Sequence, residues 1–333
     1  MKKVIVLGAT GSLGTYFVDY LVDQGVEVIA CGRKTEVKDY YQSRNIEYIS
    51  VDMTKQEDFA KLPQKDVSAI VLISGAMPSR MEGYKPHTYL DVNVMGTLNV
   101  LEFARKTGVE KFLFTQSHSD VAGHWNTGEV IKPDAPRSLN LKGDHAVYII
   151  SKNTAVDLIE HYRQDYGLKT FIFRLPTIYL YRPILEMFVN GKNVPIGYRY
   201  FMDKAMKSEP IEIWGDPSVS KDIVYVQDFN QMLYKALQSN LDKGFYNVAR
   251  GESVTLEDQI RGIIEVFSPD DNPSEVIYKP EKNNQNSYHY DISNAVEELG
   301  YSPKFDYLTM LKDMAKEMKG SRFEHLKNSN VSI

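Results

Sequence analysis

The sequence predicts an α/β fold, a doubly wound parallel sheet followed by a small mixed C-terminal lobe. Three observations predict it. Short apolar runs alternate with helical segments through the first half of the chain, the pattern of strand–helix–strand units. The runs are apolar at successive positions, as strands covered by helices on both faces require. After Pro176 the alternation breaks, and Pro183, Pro195, Pro210 and Pro217 punctuate a more polar region.

Strands are expected at Lys3–Leu7, Glu27–Cys31, Glu47–Ser50, Ala69–Ser74, Lys111–Gln116 and Thr170–Leu175, and helices at Leu13–Gln24, Thr88–Thr107 and Ala146–Tyr166. Residues 1–175 would carry the sheet. Residues 222–250, where strand and helix alternate again, would return to it, and residues 176–221 and 251–333 would build the lobe. The last residues, Asn328–Ile333, are expected to fray.

At 333 residues and 43% hydrophobic the chain can bury a large core, as one long domain or two. Its 39 basic and 44 acidic residues give a net charge of −5 with no long charge block. That argues against a nucleic-acid or membrane surface. Cys31 is the single cysteine, so no intrachain disulfide can form, which fits a reducing cytoplasm. Met1-Lys2-Lys3 precedes an apolar run that Gly8 cuts short, too brief for a signal peptide and right for a buried first strand. No run of about 18 apolar residues could cross a membrane, and no Cys/His spacing suits a metal.

The chemistry begins at Gly8-Ala9-Thr10-Gly11-Ser12-Leu13-Gly14, between the first strand and the first helix. Gly8 permits a tight turn, Gly11 lets backbone approach a pyrophosphate, and Gly14 lets the helix pack close to the sheet. The helix N-terminus then offers free N–H groups to phosphate. This makes the first domain a dinucleotide-binding, Rossmann-like unit. An NAD-binding unit usually carries an acidic side chain after its second strand. Here that corner reads Gly32-Arg33-Lys34, with room and two cations for a 2′-phosphate. NADP(H) is favoured, and NAD stays open if Arg33 and Lys34 are only solvated charges.

Tyr148-Ile149-Ile150-Ser151-Lys152 opens the third long helix. Positions i and i+4 share a helix face, so a phenol and an ammonium point the same way. An ammonium beside a phenol lowers the cost of its phenolate, and such a pair can pass a proton to or from a carbonyl oxygen. Tyr200/Lys204 and Tyr278/Lys282 share the spacing but lack the position after the fifth strand.

The GxxGxxG loop with this tyrosine and lysine resembles the extended short-chain dehydrogenase/reductase family, whose epimerases and dehydratases modify nucleotide-linked sugars. The resemblance spans nearly the whole chain. It implies that Asp52, with Met53 beside it, meets the adenine; the alternative is that Asp52 or Thr54 caps the following helix. It implies that Ser74-Gly75-Ala76 lies against the cofactor and that Asn93, in Asn93-Val94-Met95-Gly96-Thr97, steadies the sheet. The family's third catalytic group is a Ser or Thr ending the fifth strand. Here the segment reads Ser117-His118-Ser119-Asp120-Val121-Ala122-Gly123, and its register puts His118 at that place with Ser117 before it. Both are candidates. Thr177 stands for an Asn, and Lys221 for an Arg, that contact the substrate in the family.

The implied reaction is hydride transfer at a sugar carbon, with Tyr148 as general acid/base and Lys152 also holding the nicotinamide ribose. The Gly32-Arg33 corner tilts the expectation toward an NADP(H)-dependent reductase of a keto group. An epimerase with tightly held NAD is the alternative, and a non-catalytic cofactor-sensing regulator of the same fold is a second one. Ser119 and Asp120 stand where a dehydratase carries an Asp-Glu pair, which argues against dehydration. A homodimer through the helices Thr88–Thr107 and Ala146–Tyr166 is implied by resemblance alone.

Overall fold

The computed structural model describes residues 3–143, 145–189 and 191–324; the expected fraying of Asn328–Ile333 lies outside them. Seven parallel strands form the central sheet: β1 Lys3–Leu7, β2 Val28–Gly32, β3 Glu47–Ser50, β4 Val67–Leu72, β5 Lys111–Ser117, β6 Lys169–Leu175 and β7 Lys243–Asn247. Their order across the sheet is β7-β6-β5-β4-β1-β2-β3, all parallel. The order reverses between β1 and β4, and there the loops leaving both strands open a crevice at their carboxyl ends.

Helices cover both faces. In β1, Val4 and Val6 pack toward α1 (Ser12–Asp23), while Ile5 and Leu7 pack toward the opposite layer. That layer holds α2 (Thr97–Thr107) and α3 (His145–Tyr166). This two-sided burial is why the strands read as continuous apolar runs rather than alternating ones. The expected helix from Thr88 is helical throughout but not uniform. A turn at Pro86–Tyr89 leads into a π-helical stretch, Leu90–Gly96, before α2 begins.

Beyond β6 lie α4 (Gly197–Met206), α5 (Val226–Gln238), α6 (Leu256–Phe267) and α7 (Tyr307–Glu317), joined by short two-stranded pieces. Helix α5 packs against α1, and β7 extends the main sheet beside β6. A buried ion pair ties these parts together. Arg174 at the end of β6 meets Asp120 at 3.0 Å, with both side chains almost fully enclosed. The same guanidinium donates to the Asn247 Oδ1 on β7 and to the carbonyls of Lys132 and Pro133.

Candidate functional site

The glycine loop is built to the tolerance of a missing Cβ. A side chain at Gly14 would enter the Gly8 carbonyl, and one at Gly8 would stand 2.6 Å from the Ser74 nitrogen. Gly8 also takes a φ of +98°, a conformation open to glycine at little cost. These contacts press the loops after β1 and β4 together. The loop is braced from behind, because the Tyr41 hydroxyl donates to the Ala9 carbonyl at 2.8 Å and Thr15 Oγ1 donates to the same oxygen. At its mouth, Ser12 Oγ is buried, only 8% of the residue is exposed, and the oxygen has no partner among the described residues. An orphaned hydroxyl on the first turn of a helix without an acidic side chain there suits a pyrophosphate. The residues present therefore fit a dinucleotide.

At the second strand's end, a Cβ on Gly32 would meet the Thr10 side chain at 2.8 Å, so any side chain there would require Thr10 to shift. The Tyr48 hydroxyl donates to the Gly32 and Lys34 carbonyls and fixes the turn. Arg33 is exposed and Lys34 half-buried. Among the described residues neither side chain has an ionic or hydrogen-bonding partner. Asp52 forms a turn: its Oδ1 accepts from the Thr54 N–H and hydroxyl, while its own N–H donates to Asp58. It caps no helix, and Met53 packs beneath Gly96.

Tyr148 and Lys152 rise from the first two turns of α3. Burial pushes the Tyr148 phenol up, and a hydrogen bond with the Ser117 side chain opposes that rise. Lys152 is 5% exposed. Its Nζ lies 3.9 Å from the Phe114 ring centroid and 4.0 Å from where a side chain on Gly75 would start. Burial alone lowers its value to about 7. Lys152 is not among the groups acting on the phenol; its Nζ lies on the Phe114 ring beneath Gly75.

Asn93 explains the π-helical stretch. The wider turn lets its amide face inward, where Oδ1 accepts from the Ala76 N–H at 2.8 Å and Nδ2 donates to the Ala76 carbonyl and to Ser151 Oγ. Ser151 in turn donates to the Tyr148 carbonyl at 2.7 Å. One amide therefore joins the loop after β4 to the turn that carries the tyrosine.

The structure separates the two candidates for the third group. Ser117 meets Tyr148; His118 turns away. Its Nδ1 lies 2.9 Å from the Tyr290 hydroxyl, and its ring packs among Trp125, Tyr288 and Tyr290. Burial, with Arg174 and Lys221 nearby, lowers His118 to about 3, so it is neutral at ordinary pH and no proton shuttle there. Asp120 is committed to Arg174. Thr177 bonds the Tyr288 hydroxyl. Lys221 borders a cavity of about 210 Å³ lined by Tyr179, Tyr198, Phe201, Gln259 and Tyr307, and has no carboxylate partner among the described residues. Sequence reasoning missed the aromatic wall of this cavity. Its signal was the tyrosine-rich stretch from Tyr179 to Tyr200.

Residues 4–249 match the model of the NAD dependent epimerase/dehydratase family. The chain belongs to that family. Members are NAD(P)-dependent enzymes of the extended short-chain dehydrogenase/reductase type, and so is this chain. UDP-glucuronic acid decarboxylase 1 of Arabidopsis thaliana is 27% identical, across 95% of this chain and 70% of that one. UDP-glucuronate 4-epimerase of Thermodesulfobacterium geofontis is 25% identical across 80% of each. The solved UDP-glucose 4-epimerase of Thermus thermophilus, in complex with NAD, superposes with a TM-score of 0.75 at 22% identity, covering 96% and 99% of the two chains. No described helix is long and apolar enough to cross a membrane, and no described cluster of His, Cys, Asp or Glu could hold a metal.

Proposed function

We propose that this family member inverts a secondary carbinol of a nucleotide-linked sugar, as a 4-epimerase does, through a keto intermediate and with its dinucleotide retained. The observation that carries the reading is the meeting of Tyr148 and Ser117 at the carboxyl end of β5, with Lys152, one helical turn on, buried under Gly75. The epimerase relative favours inversion over the net reduction that the Gly32-Arg33 corner suggested. Residues 1–175 with 222–250 would hold the dinucleotide, and 176–221 with 251–333 the sugar nucleotide.

A bound nicotinamide would supply the acceptor and then the donor of hydride. Tyr148 takes the carbinol proton when the C–H bond breaks and returns it to the oxygen when that bond reforms on the other face. Burial keeps the phenol protonated for the return step; the Ser117 hydrogen bond eases its loss in the forward one. Ser117 also donates to the carbonyl oxygen of the intermediate. Lys152 binds the ribose hydroxyls, and Asn93 fixes the distance between cofactor loop and tyrosine. Lys221 faces the substrate's phosphates. Exposed Leu90, Met95, Ile150 and Tyr166 on the two long helices would pair in a homodimer, and the single cysteine fits a reducing cytoplasm.

One observation favours a second reading. Arg33, without a partner among the described residues, beside a corner that carries glycine in place of a carboxylate suits NADP(H), and with it a reductase. The test offers UDP-glucose and UDP-glucuronate to the purified chain without added cofactor and follows C4 configuration by proton NMR. Epimer should form, and Tyr148→Phe should form none while retaining its bound nucleotide. No epimer, with stoichiometric oxidation of added NADPH by a keto sugar, would establish the reductase instead.

A further inference from the structure

Helix α7 begins at the 210 Å³ cavity, which Tyr307 lines, and ends at Glu317. The segment after it carries Arg322 and Phe323 across to α1, behind the dinucleotide loop. The Arg322 guanidinium donates to the Glu317 carboxylate through two bonds, at 2.9 and 3.0 Å, and its third nitrogen reaches the Asp19 carboxylate on α1. Arg44 takes the other Asp19 oxygen, at 2.5 Å. Arg322 also lies over the Tyr16 ring, 4.5 Å from its centroid. Phe323 is 2% exposed and meets the same ring edge-on at 5.5 Å.

From this anchor, contacts run to both halves of the cofactor cradle. The Tyr40 hydroxyl donates to the Arg322 carbonyl at 2.7 Å, and the Tyr40 ring stands edge-on to Tyr41 at 5.1 Å. Tyr41 is fully buried and stacks on Tyr48 at 5.1 Å. Tyr41 holds the Ala9 carbonyl of the glycine loop, and Tyr48 holds the Gly32 and Lys34 carbonyls of the turn after β2. Three tyrosines thus join the C-terminal segment to the loop for the pyrophosphate and to the corner for the adenosine ribose. A second route passes through α1, where Tyr16 stands one helical turn beyond Ser12 on the same face. A chain end frays unless something ties it down, and ordering it costs conformational entropy. The groups that hold this one, Asp19, Tyr16 and Tyr40, lie on the elements that shape the cradle.

We propose that Arg322 and Phe323 are positioning residues for the cofactor. They form a C-terminal clamp that holds the glycine loop and the turn after β2 in the shape that receives a dinucleotide, acting through Asp19, Tyr16 and the Tyr40–Tyr41–Tyr48 stack. The proposal rests on the dinucleotide site and not on the reaction proposed above.

Amide hydrogen exchange of the nucleotide-free full chain reads the clamp without any ligand. In Arg322→Met, Asp19 keeps Arg44, so no buried carboxylate is stranded. Exchange in residues 8–16 and 32–35 should rise by roughly tenfold, while β5 and β6 exchange as in wild type. Calorimetric affinity for NAD and NADP should fall by roughly tenfold, because the binding-competent loop becomes a smaller fraction of the population. Phe323→Ala should act in the same direction. Arg322→Lys, which keeps a charge at Asp19 and loses the fork on Glu317, should fall between wild type and Arg322→Met. Tyr40→Phe, which keeps the ring against Tyr41 and loses the bond to the Arg322 carbonyl, should weaken both dinucleotides too, and it carries the test if Arg322→Met does not fold. Unchanged exchange in the two loops, or unchanged dinucleotide affinity, overturns the proposal. So does a rise in exchange that extends equally to β5 and β6 with a lowered melting temperature, the mark of a segment that only holds the fold.

Discussion

Lys152→Met is the most informative single substitution, because the lysine's burial fixes both the sign and the size of the effect. Its ammonium is 5% exposed and rests on the Phe114 ring, and burial brings it from 10.5 to about 7. At about 1.4 kcal/mol per tenfold change in proton affinity, keeping the amine charged in the folded protein costs up to about 5 kcal/mol. The unfolded chain holds this proton up to pH 10.5, whereas the folded chain releases it near 7. Between those values the unfolded state binds more protons, so stability rises with pH. Integrated from pH 7 to 9, the gain is about 2 kcal/mol. Urea unfolding of the ligand-free protein at both pH values reads this directly. Wild type should gain about 2 kcal/mol more than Lys152→Met over that interval. Taking the difference between the two proteins removes every other titrating group. Parallel pH profiles would refute the reasoning and place a counter-charge or water beside the amine.

Two other substitutions test the frame and the cofactor corner. Arg174→Met strands the Asp120 carboxylate in the interior and should destabilise the fold by about 3–5 kcal/mol, seen as a lowered urea midpoint; a change below about 1 kcal/mol would mean the pair is not enclosed. Arg33→Ala should weaken NADP by roughly tenfold while leaving NAD within twofold, read by fluorescence titration; equal effects on both cofactors would remove the 2′-phosphate from consideration.

Much of this was legible beforehand. The sheet strands could be read from apolar runs because helices cover both faces, so Val4 through Leu7 are all buried. The glycine loop could be read because each glycine answers a steric demand, as the clash of a Gly14 side chain with the Gly8 carbonyl shows. The shape of the helix before α2 could not. Asn93 bonds Ala76 across 17 residues of sequence and Ser151 across 58, and those distant contacts give the π-helical turn its purpose. The same limit applies to Ser117 and His118. Motif register favoured His118, yet adjacent residues at a strand end point in opposite directions, and the aromatic nest of Trp125, Tyr288 and Tyr290 drew the histidine away.

By itself, then, the sequence determined the order of strands and helices, the dinucleotide loop, and the tyrosine and lysine of α3, since each is written in local spacing and local sterics. Tertiary structure alone decided which hydroxyl meets Tyr148, that Lys152 lies under Gly75, and that His118 turns into an aromatic nest. Those outcomes depend on which distant groups share a buried volume. Proton affinity and charge compensation follow that volume, not the neighbours along the chain.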